Sequence, residues 1–436
     1  MGSERPVEDA DASAGGVDWM RLDNAAKIYP VAGPGAVTPV FRLSVTLKDP
    51  IRYRQLNDAL KRIVERTPYY QVYIRRGVFW YYLERHRDYP TLELLPDRPI
   101  TSISLHRRRE QLIRVLIRDR TIALDVSHVL TDGYGGMVFL GSLLVEYLRR
   151  LGHNVEPEQP LLNPTEPPDP EEYDDAYQRM YSRGVRPAVT LAPAYHVPGL
   201  AHVNRYRLIV GRMPLAAALA KAKERGATLT EYIVATKIAA IKDVHDEQLR
   251  RVITPQPSII RIEVPVNMRR VYPTRSMRNF SLFVGPELDL SLGDYSFDQI
   301  VRRVHHDMQI QLDRNQLLRQ ISRNVGGERN RLVRVIPRPI KDAYMRHLRR
   351  TIGDRSYSGV VSNLGRFIVP KAAEEQIERI GFVLGPNSAY KVGVSVVSLG
   401  DELIVTIGSV VADRTVERNV FRRLAADGIP VIVTEA

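Results

Sequence analysis

The chain has 436 residues, a length that suits two domains of about 200 residues each better than one core. Its 44% hydrophobic and 26% charged residues describe a globular protein, and the absence of cysteine excludes disulfides, thiolate metal ligands and a cysteine nucleophile. The net charge of +13 rests on 63 basic residues, 53 of them arginine, but these are scattered, with no zinc finger, ribonucleoprotein motif or aromatic–basic alternation, so nucleic acid is not an expected partner.

The arginine bias has two readings, a phosphorylated ligand or a GC-rich genome. Residues 1–16 are acidic, small and glycine-rich and are expected to be a disordered tail. There is no basic segment followed by an apolar core, as a signal peptide requires, and no apolar run near the roughly 18 residues of a membrane span. The expected location is cytoplasmic.

In chain order, 17–30 is a short apolar–polar segment ending in Pro30, and 41–47 alternates as a strand. Residues 53–66 place Leu56, Ala59, Leu60, Ile63 and Val64 at the spacing of an amphipathic helix, which Pro68 ends. Residues 70–74 and 78–83 read as a hairpin around Arg75-Arg76-Gly77. A second hairpin, 111–117 and 121–126, leads into Ser127-His-Val-Leu-Thr-Asp-Gly133. The helix over 136–151 is apolar on nearly every face, with Arg149, Arg150 and Gly152 as its stop. A stretch of nine prolines within 156–198 reads as a linker, so 17–155 and 201–436 are the expected domains, with 156–200 between them.

The second half repeats the style of the first. A strand is predicted at 203–213, a helix at 215–223, and a second helix capped by Thr230 and running past Ile241. Strands at 259–266 and 279–284 precede arginine-rich helices at 297–312 and 315–349, interrupted near Gly326-Gly327 and Pro337. The basic stretch 331–350 reads as a solvated helix, with a lid, a membrane-surface contact or a face for an acidic carrier protein as alternatives. Strands at 359–362, 379–384, 391–397 and 403–410, a helix at 416–426 and a strand at 430–434 complete an α+β pattern. Two such halves suggest a pseudo-duplicated enzyme with a cleft between them.

His128 leaves a strand end with Asp132 four residues later, ahead of a turn made by Gly133, Gly135 and Gly136. A base on rigid backbone with a carboxylate nearby suits general-base catalysis. By itself His-x-x-x-Asp-Gly is a weak motif, and a core histidine beside a turn aspartate fits it equally well. The remaining histidines lack ligand spacing, and adjacent His305-His306 do not share a helix face, so no metal site is expected. No P-loop or Gly-x-Gly-x-x-Gly follows a strand.

This arrangement resembles the superfamily of chloramphenicol acetyltransferase, plant BAHD acyltransferases, alcohol acetyltransferases, polyketide-associated acyltransferases and peptide-synthetase condensation domains. Ala59-Leu-Lys-Arg-Ile-Val-Glu-Arg-Thr-Pro-Tyr-Tyr70 is similar to the family's helix and turn, with Thr67 where histidine is usual. Ser127 to Gly133 resembles the active-site motif, and Val266-Asn-Met-Arg269 with Arg278-Asn-Phe280 the second-domain motif that faces it. Ser362-Asn-Leu-Gly365 resembles the crossing strand, and Arg21-Leu-Asp-Asn-Ala-Ala-Lys27 the start of bacterial alcohol-acetyltransferase-like members. Ser127 replaces the first of two adjacent histidines usual in condensation domains, and the BAHD signature Asp-Phe-Gly-Trp-Gly is absent, so the alcohol-acetyltransferase and polyketide-associated types are the nearest.

The resemblance implies two chloramphenicol-acetyltransferase-like α/β sandwich domains in a V around a central tunnel. It implies transfer of an acyl group from acyl-CoA or a phosphopantetheinyl carrier protein to a hydroxyl or amine of a small-molecule acceptor, with no permanently bound cofactor. His128 becomes the general base, with a reference pKa near ~6.5 that needs no large shift. Asp132 holds the loop by pairing with Arg269, or else Arg278; Gly133 meets a need for positive φ or close approach. Ser127, Ser362 and Asn363 are candidates for positioning the substrate or its oxyanion. The alternative is an inactive condensation-like module that docks within a biosynthetic assembly.

Overall fold

The computed structural model describes residues 18–31, 39–105, 107–182, 191–250, 256–349 and 353–436; the expected tail at 1–16 lies outside them. The first half contains β1 (Trp19–Arg21), β2 (Val40–Leu47), α1 (Tyr53–Arg66), β3 (Val72–Arg76), β4 (Tyr81–Arg85), β5 (Leu92–Leu94), β6 (Ile113–Arg118), β7 (Thr121–Ser127) and α2 (Gly133–Arg150). After a short α3 (Ala176–Arg179) come β8 (Arg207–Pro214), α4 (Leu215–Glu224), α5 (Leu229–Leu249), β9 (Ile259–Asn267), β10 (Ser281–Val284) and β11 (Glu287–Asp289). Four helices follow, α6 (Phe297–Gln311), α7 (Arg314–Arg329), α8 (Arg331–Val335) and α9 (Arg338–Leu348). The chain then runs through β12 (Gly359–Arg366), α10 (Lys371–Glu374), β13 (Ile377–Leu384), β14 (Val392–Leu399), β15 (Glu402–Ser409), α11 (Thr415–Ala426) and β16 (Ile432–Glu435).

These strands form three sheets, and the fold is mixed α and β as expected. The sheet that carries the His128 motif has the order β13-β2-β7-β6-β5, so a strand from late in the chain lies at its edge, antiparallel to β2 from Ile377 to Leu384. The largest sheet runs β10-β9-β12-β14-β15-β8-β16 with β11 also on β9, and β1-β4-β3 make the third. In the first sheet α1 buries Leu56, Ala59, Leu60, Ile63 and Val64, the stripe expected of it, and packs on α2. One core gathers α1, α2 and the β2–β7 strands together with Phe367, Ile377, Ile380 and Phe382. A second lies between α5, α6, α11 and the largest sheet.

Several local expectations shift. Helix α2 begins at Gly133, three residues before the apolar pattern starts, because the Asp132 side chain caps it. The cap of α5 is Thr228, in a capping box with Glu231, and not Thr230. Helix α7 runs through Gly326-Gly327 without a break, whereas Pro337 does separate α8 from α9. The proline-rich stretch carries buried side chains: Tyr177 packs with Met268 and Phe280, and Glu172 accepts from both terminal guanidinium nitrogens of Arg66, at 2.7 and 2.6 Å. Helix α9 is seated on the β3–β4 hairpin, where the Arg338 N–H donates to Val78 O and the Lys341 ammonium lies 3.5 Å from the Trp80 ring centroid. No helix among the described residues is long and apolar enough to cross a membrane.

Candidate active site

Strand β7 pairs on both sides, with β2 and β6, and His128 is the first residue beyond it. The His128 N–H donates to Pro39 O at 2.7 Å, and its own carbonyl accepts from Asn279 Nδ2 at 2.9 Å, so the backbone is held from both halves of the chain. The imidazole stacks on Tyr29, with centroids 5.5 Å apart and planes at 16°, and tilts against Phe41 at 4.8 Å. The residue keeps partial exposure.

Desolvation pushes the His128 pKa down to about 4, and it outweighs the opposing charge of Asp132 and a hydrogen bond with the Thr131 backbone. This corrects the expectation of an imidazole near its ordinary value. Burial against two aromatic rings, which spacing in the sequence does not reveal, keeps the ring neutral throughout the cellular pH range.

Asp132 is occupied by other partners. Its Oδ1 accepts from Gly135 N at 3.1 Å, which caps α2, and its Oδ2 accepts from both Arg269 Nη1 and Phe280 N at 2.8 Å. Arg269 also donates to the Ser276 and Arg278 carbonyls and to Asn267 Oδ1, and its guanidinium lies 4.5 Å from the Tyr134 ring centroid. Both partners of this ion pair are buried. Arg278 does not reach Asp132: its Nη2 donates to Arg21 O at 2.5 Å and its Nε stands 3.7 Å from Asp23 Oδ2.

Asp23 and Asn279 are the participants that sequence reasoning missed. Asp23 is fully buried, accepts from Ala26 N at 2.8 Å and Asn279 Nδ2 at 3.0 Å, and so joins the N-terminal segment to the residue that holds His128. Desolvation, opposed by Arg278, lifts its pKa to about 6. Both residues sit inside stretches noted for their resemblance, Arg21 to Lys27 and Arg278 to Phe280, but 256 residues separate them and no local pattern pairs them.

The glycines serve close packing. Among the described residues the positive-φ glycines do not include Gly133, Gly135 or Gly136. A Cβ on Gly133 would lie 2.5 Å from Leu364 Cδ2, and one on Gly135 would crowd Tyr70 and Thr131 and come within 2.6 Å of Met277 O. Around the latter, the Tyr70 and Thr131 hydroxyls each meet Met277 O at 2.5 Å.

One proposed positioning residue is corrected. Ser127 has no exposure, and its Oγ accepts from Val129 N at 3.3 Å, so it shapes the turn beneath the histidine and does not face a ligand. Asn363 uses its amide on the irregularity in β12, donating to Thr230 Oγ1 at 2.9 Å and accepting from Gly365 N at 2.8 Å. It is the next residue, Leu364, that reaches the His128 loop, through Gly133. Ser362 lies beside Ser395 on β14 and is nearly buried. Among the described residues no group of three or more acidic or histidine side chains forms a metal-binding cluster.

The fold is that of condensation and acyl-transfer proteins, with two chloramphenicol-acetyltransferase-like lobes. Polyketide synthase associated protein 5 from Mycobacterium tuberculosis is similar with TM-score 0.59 and 15% identity, over 93% of this chain and 96% of that one. Trichothecene 15-O-acetyltransferase from Fusarium sporotrichioides gives 0.58 and 11%, over 96% of both chains. The starter condensation domain of rhizomide synthetase, in complex with C8-CoA and Leu-SNAC, gives 0.58 and 12%, over 94% of both. At these identities the likeness is one of fold. No family model matches the chain, and no curated protein matches it by sequence.

Proposed function

We propose that the chain is an acyltransferase that moves an acyl group from a CoA or carrier-protein thioester to a hydroxyl or amine of a small acceptor, with His128 as general base. The observation that supports this best is a neutral, partly exposed imidazole locked between Tyr29 and Phe41 at the end of a central strand. In this reading His128 takes the acceptor's proton as its oxygen or nitrogen attacks the thioester carbonyl. Collapse of the tetrahedral adduct breaks the C–S bond, and the imidazolium returns the proton to the departing thiolate. Because a pKa of about 4 makes a weak base, proton transfer accompanies attack and does not precede it. Asp132 keeps the loop in place and lends its charge to the imidazolium; Ser362 and the partly exposed Asn363 are the remaining candidates for a substrate contact.

The reading also takes 17–155 and 201–436 as the two acyltransferase-like domains, joined by 156–200, with the substrate path between them and a cytoplasmic location. The low basicity of His128 favours, in turn, the second reading of a condensation-like module that binds without turnover. Incubating the intact protein with acetyl-CoA and a panel of alcohols and amines separates the two. Acceptor-dependent thiol release with an acylated product seen by mass spectrometry supports the enzyme; binding without release over the panel supports the module.

A further inference from the structure

Two groups that hold His128 share one partner. Asn279 uses both N–H bonds of its side-chain amide: it donates to the His128 carbonyl at 2.9 Å and to Asp23 Oδ2 at 3.0 Å. The Asn279 backbone N–H faces the same carboxylate oxygen at 3.4 Å. The other oxygen, Asp23 Oδ1, accepts from Ala26 N at 2.8 Å and so fixes the first residue of the short 3₁₀ turn Ala26–Ile28. That turn closes through Tyr29 N, which donates to Ala26 O at 3.3 Å, and the Tyr29 ring is the one stacked on the imidazole. One fully buried carboxylate therefore reaches His128 by two routes, the backbone through Asn279 and the ring through Tyr29.

The other holds on this segment lie at its flanks. Arg278 Nη2 donates to Arg21 O, and Glu328 accepts from the Asn24 and Lys27 side chains. These contacts keep the segment attached without bonding a backbone group of the turn. Without the Asp23 carboxylate, the Ala26 N–H and one Asn279 N–H would be buried with no acceptor, a cost that is relieved when the turn shifts and admits water. Tyr29 would then leave the imidazole. The stack matters to the chemistry because it fixes the plane of the ring, and with it the direction from which the imidazole nitrogen meets the acceptor's proton.

We propose that Asp23 is a positioning residue for His128, holding Tyr29 on the imidazole and Asn279 on the histidine carbonyl at once. The reaction it serves rests on the acyltransferase reading, but the placement is testable without turnover.

Nuclear Overhauser spectra of the full chain, deuterated except at tyrosine and histidine, read the Tyr29–His128 stack directly. They are taken at pH 8, where the Asp23 carboxyl, with a pKa of about 6, is ionised. Wild type is expected to show cross-peaks between the two rings, and Asp23→Ala to lose them. Arg225→Ala, which breaks the ion pair with Asp427 at the ends of α4 and α11, should keep them. In acceptor-dependent transfer Asp23→Ala should lower kcat about tenfold to a hundredfold, with KM for the thioester within about threefold of wild type. Asp23→Asn keeps the volume but has one carbonyl oxygen for two donors, so it should lose one route and about tenfold in kcat. Cross-peaks that persist in Asp23→Ala, or a kcat within about threefold of wild type in either variant, overturn the proposal. The asparagine variant decides the matter where the alanine variant does not fold. Cross-peaks that depend on Asp23 in a protein with no acyl transfer would count against the catalytic reading alone.

Discussion

Removing the Asp132 carboxylate should cost more stability than activity arguments alone suggest. Its two oxygens accept three hydrogen bonds, from Gly135, Arg269 and Phe280, and both members of the ion pair are buried at 5% and 9% exposure. Truncation to alanine strands the Arg269 guanidinium, a change that costs about 3–5 kcal/mol, and deletes an N-cap worth about 1 kcal/mol. Because these losses overlap, about 4 kcal/mol is the expected total. With about 2.1 cal/mol/K of unfolding entropy per residue over 436 residues, the melting temperature should fall about 4 °C. Asp132→Asn keeps an acceptor for Gly135 and should lose about half as much. Urea denaturation of Asp132→Ala, Arg269→Met and the double variant measures the coupling. The double variant should be at least about 2 kcal/mol more stable than the sum of the singles predicts. Additive effects, or a loss below about 1 kcal/mol in Asp132→Ala, would refute the role given to this pair.

The depressed His128 pKa predicts an acid limb in kcat/KM well below pH 6.5, toward pH 4, measured where the protein stays folded. A limb at 6.5 would show that the imidazole is hydrated. Because the unfolded chain binds a proton that the folded ring refuses, the stability contributed by this site is complete above pH 6.5 and is lost as pH falls toward 4; His128→Ala should flatten that slope in urea titrations. Gly135→Ala should destabilise by about 1–3 kcal/mol or more, since its methyl meets Tyr70, Thr131 and a backbone carbonyl that cannot all retreat; a neutral effect on the denaturation midpoint would contradict the packing. Arg66→Ala should cost about 3–5 kcal/mol by leaving Glu172 buried without its bidentate partner, and calorimetric melting within a degree of wild type would show that the proline-rich stretch is not anchored there.

How far these features were legible depends on the range of the interaction. Helix α1 was read to the residue because five apolar side chains repeat at helical spacing. Helix α2 was placed three residues late, since Gly133, Gly135 and Gly136 carry no apolar signal and only the Asp132 cap marks the start. A strand is expected at 379–384, within β13, but its membership in the His128 sheet is a tertiary fact. Arg269 as partner to Asp132 came from the likeness of two motifs, not from any spacing, and Asp23 was passed over because a lone aspartate near the N-terminus has no periodicity. The same likeness points Ser127 and Asn363 toward a ligand, whereas the Val129 N–H occupies the Ser127 hydroxyl and the Asn363 amide is engaged by the distant Thr230 hydroxyl and by Gly365 N. The pKa of His128 depends on Tyr29 and Phe41, brought to it from 99 and 87 residues away.

The central claim is that His128 moves the acceptor's proton. Its most direct test is the rate of acceptor-dependent thiol release by His128→Ala beside wild type, both checked for the same fold by circular dichroism, with an acceptor found in the panel. Loss of a general base predicts a fall of about 10²–10⁴ in kcat, with acceptor binding retained. A His128→Ala protein that releases thiol within about threefold of wild type would contradict it.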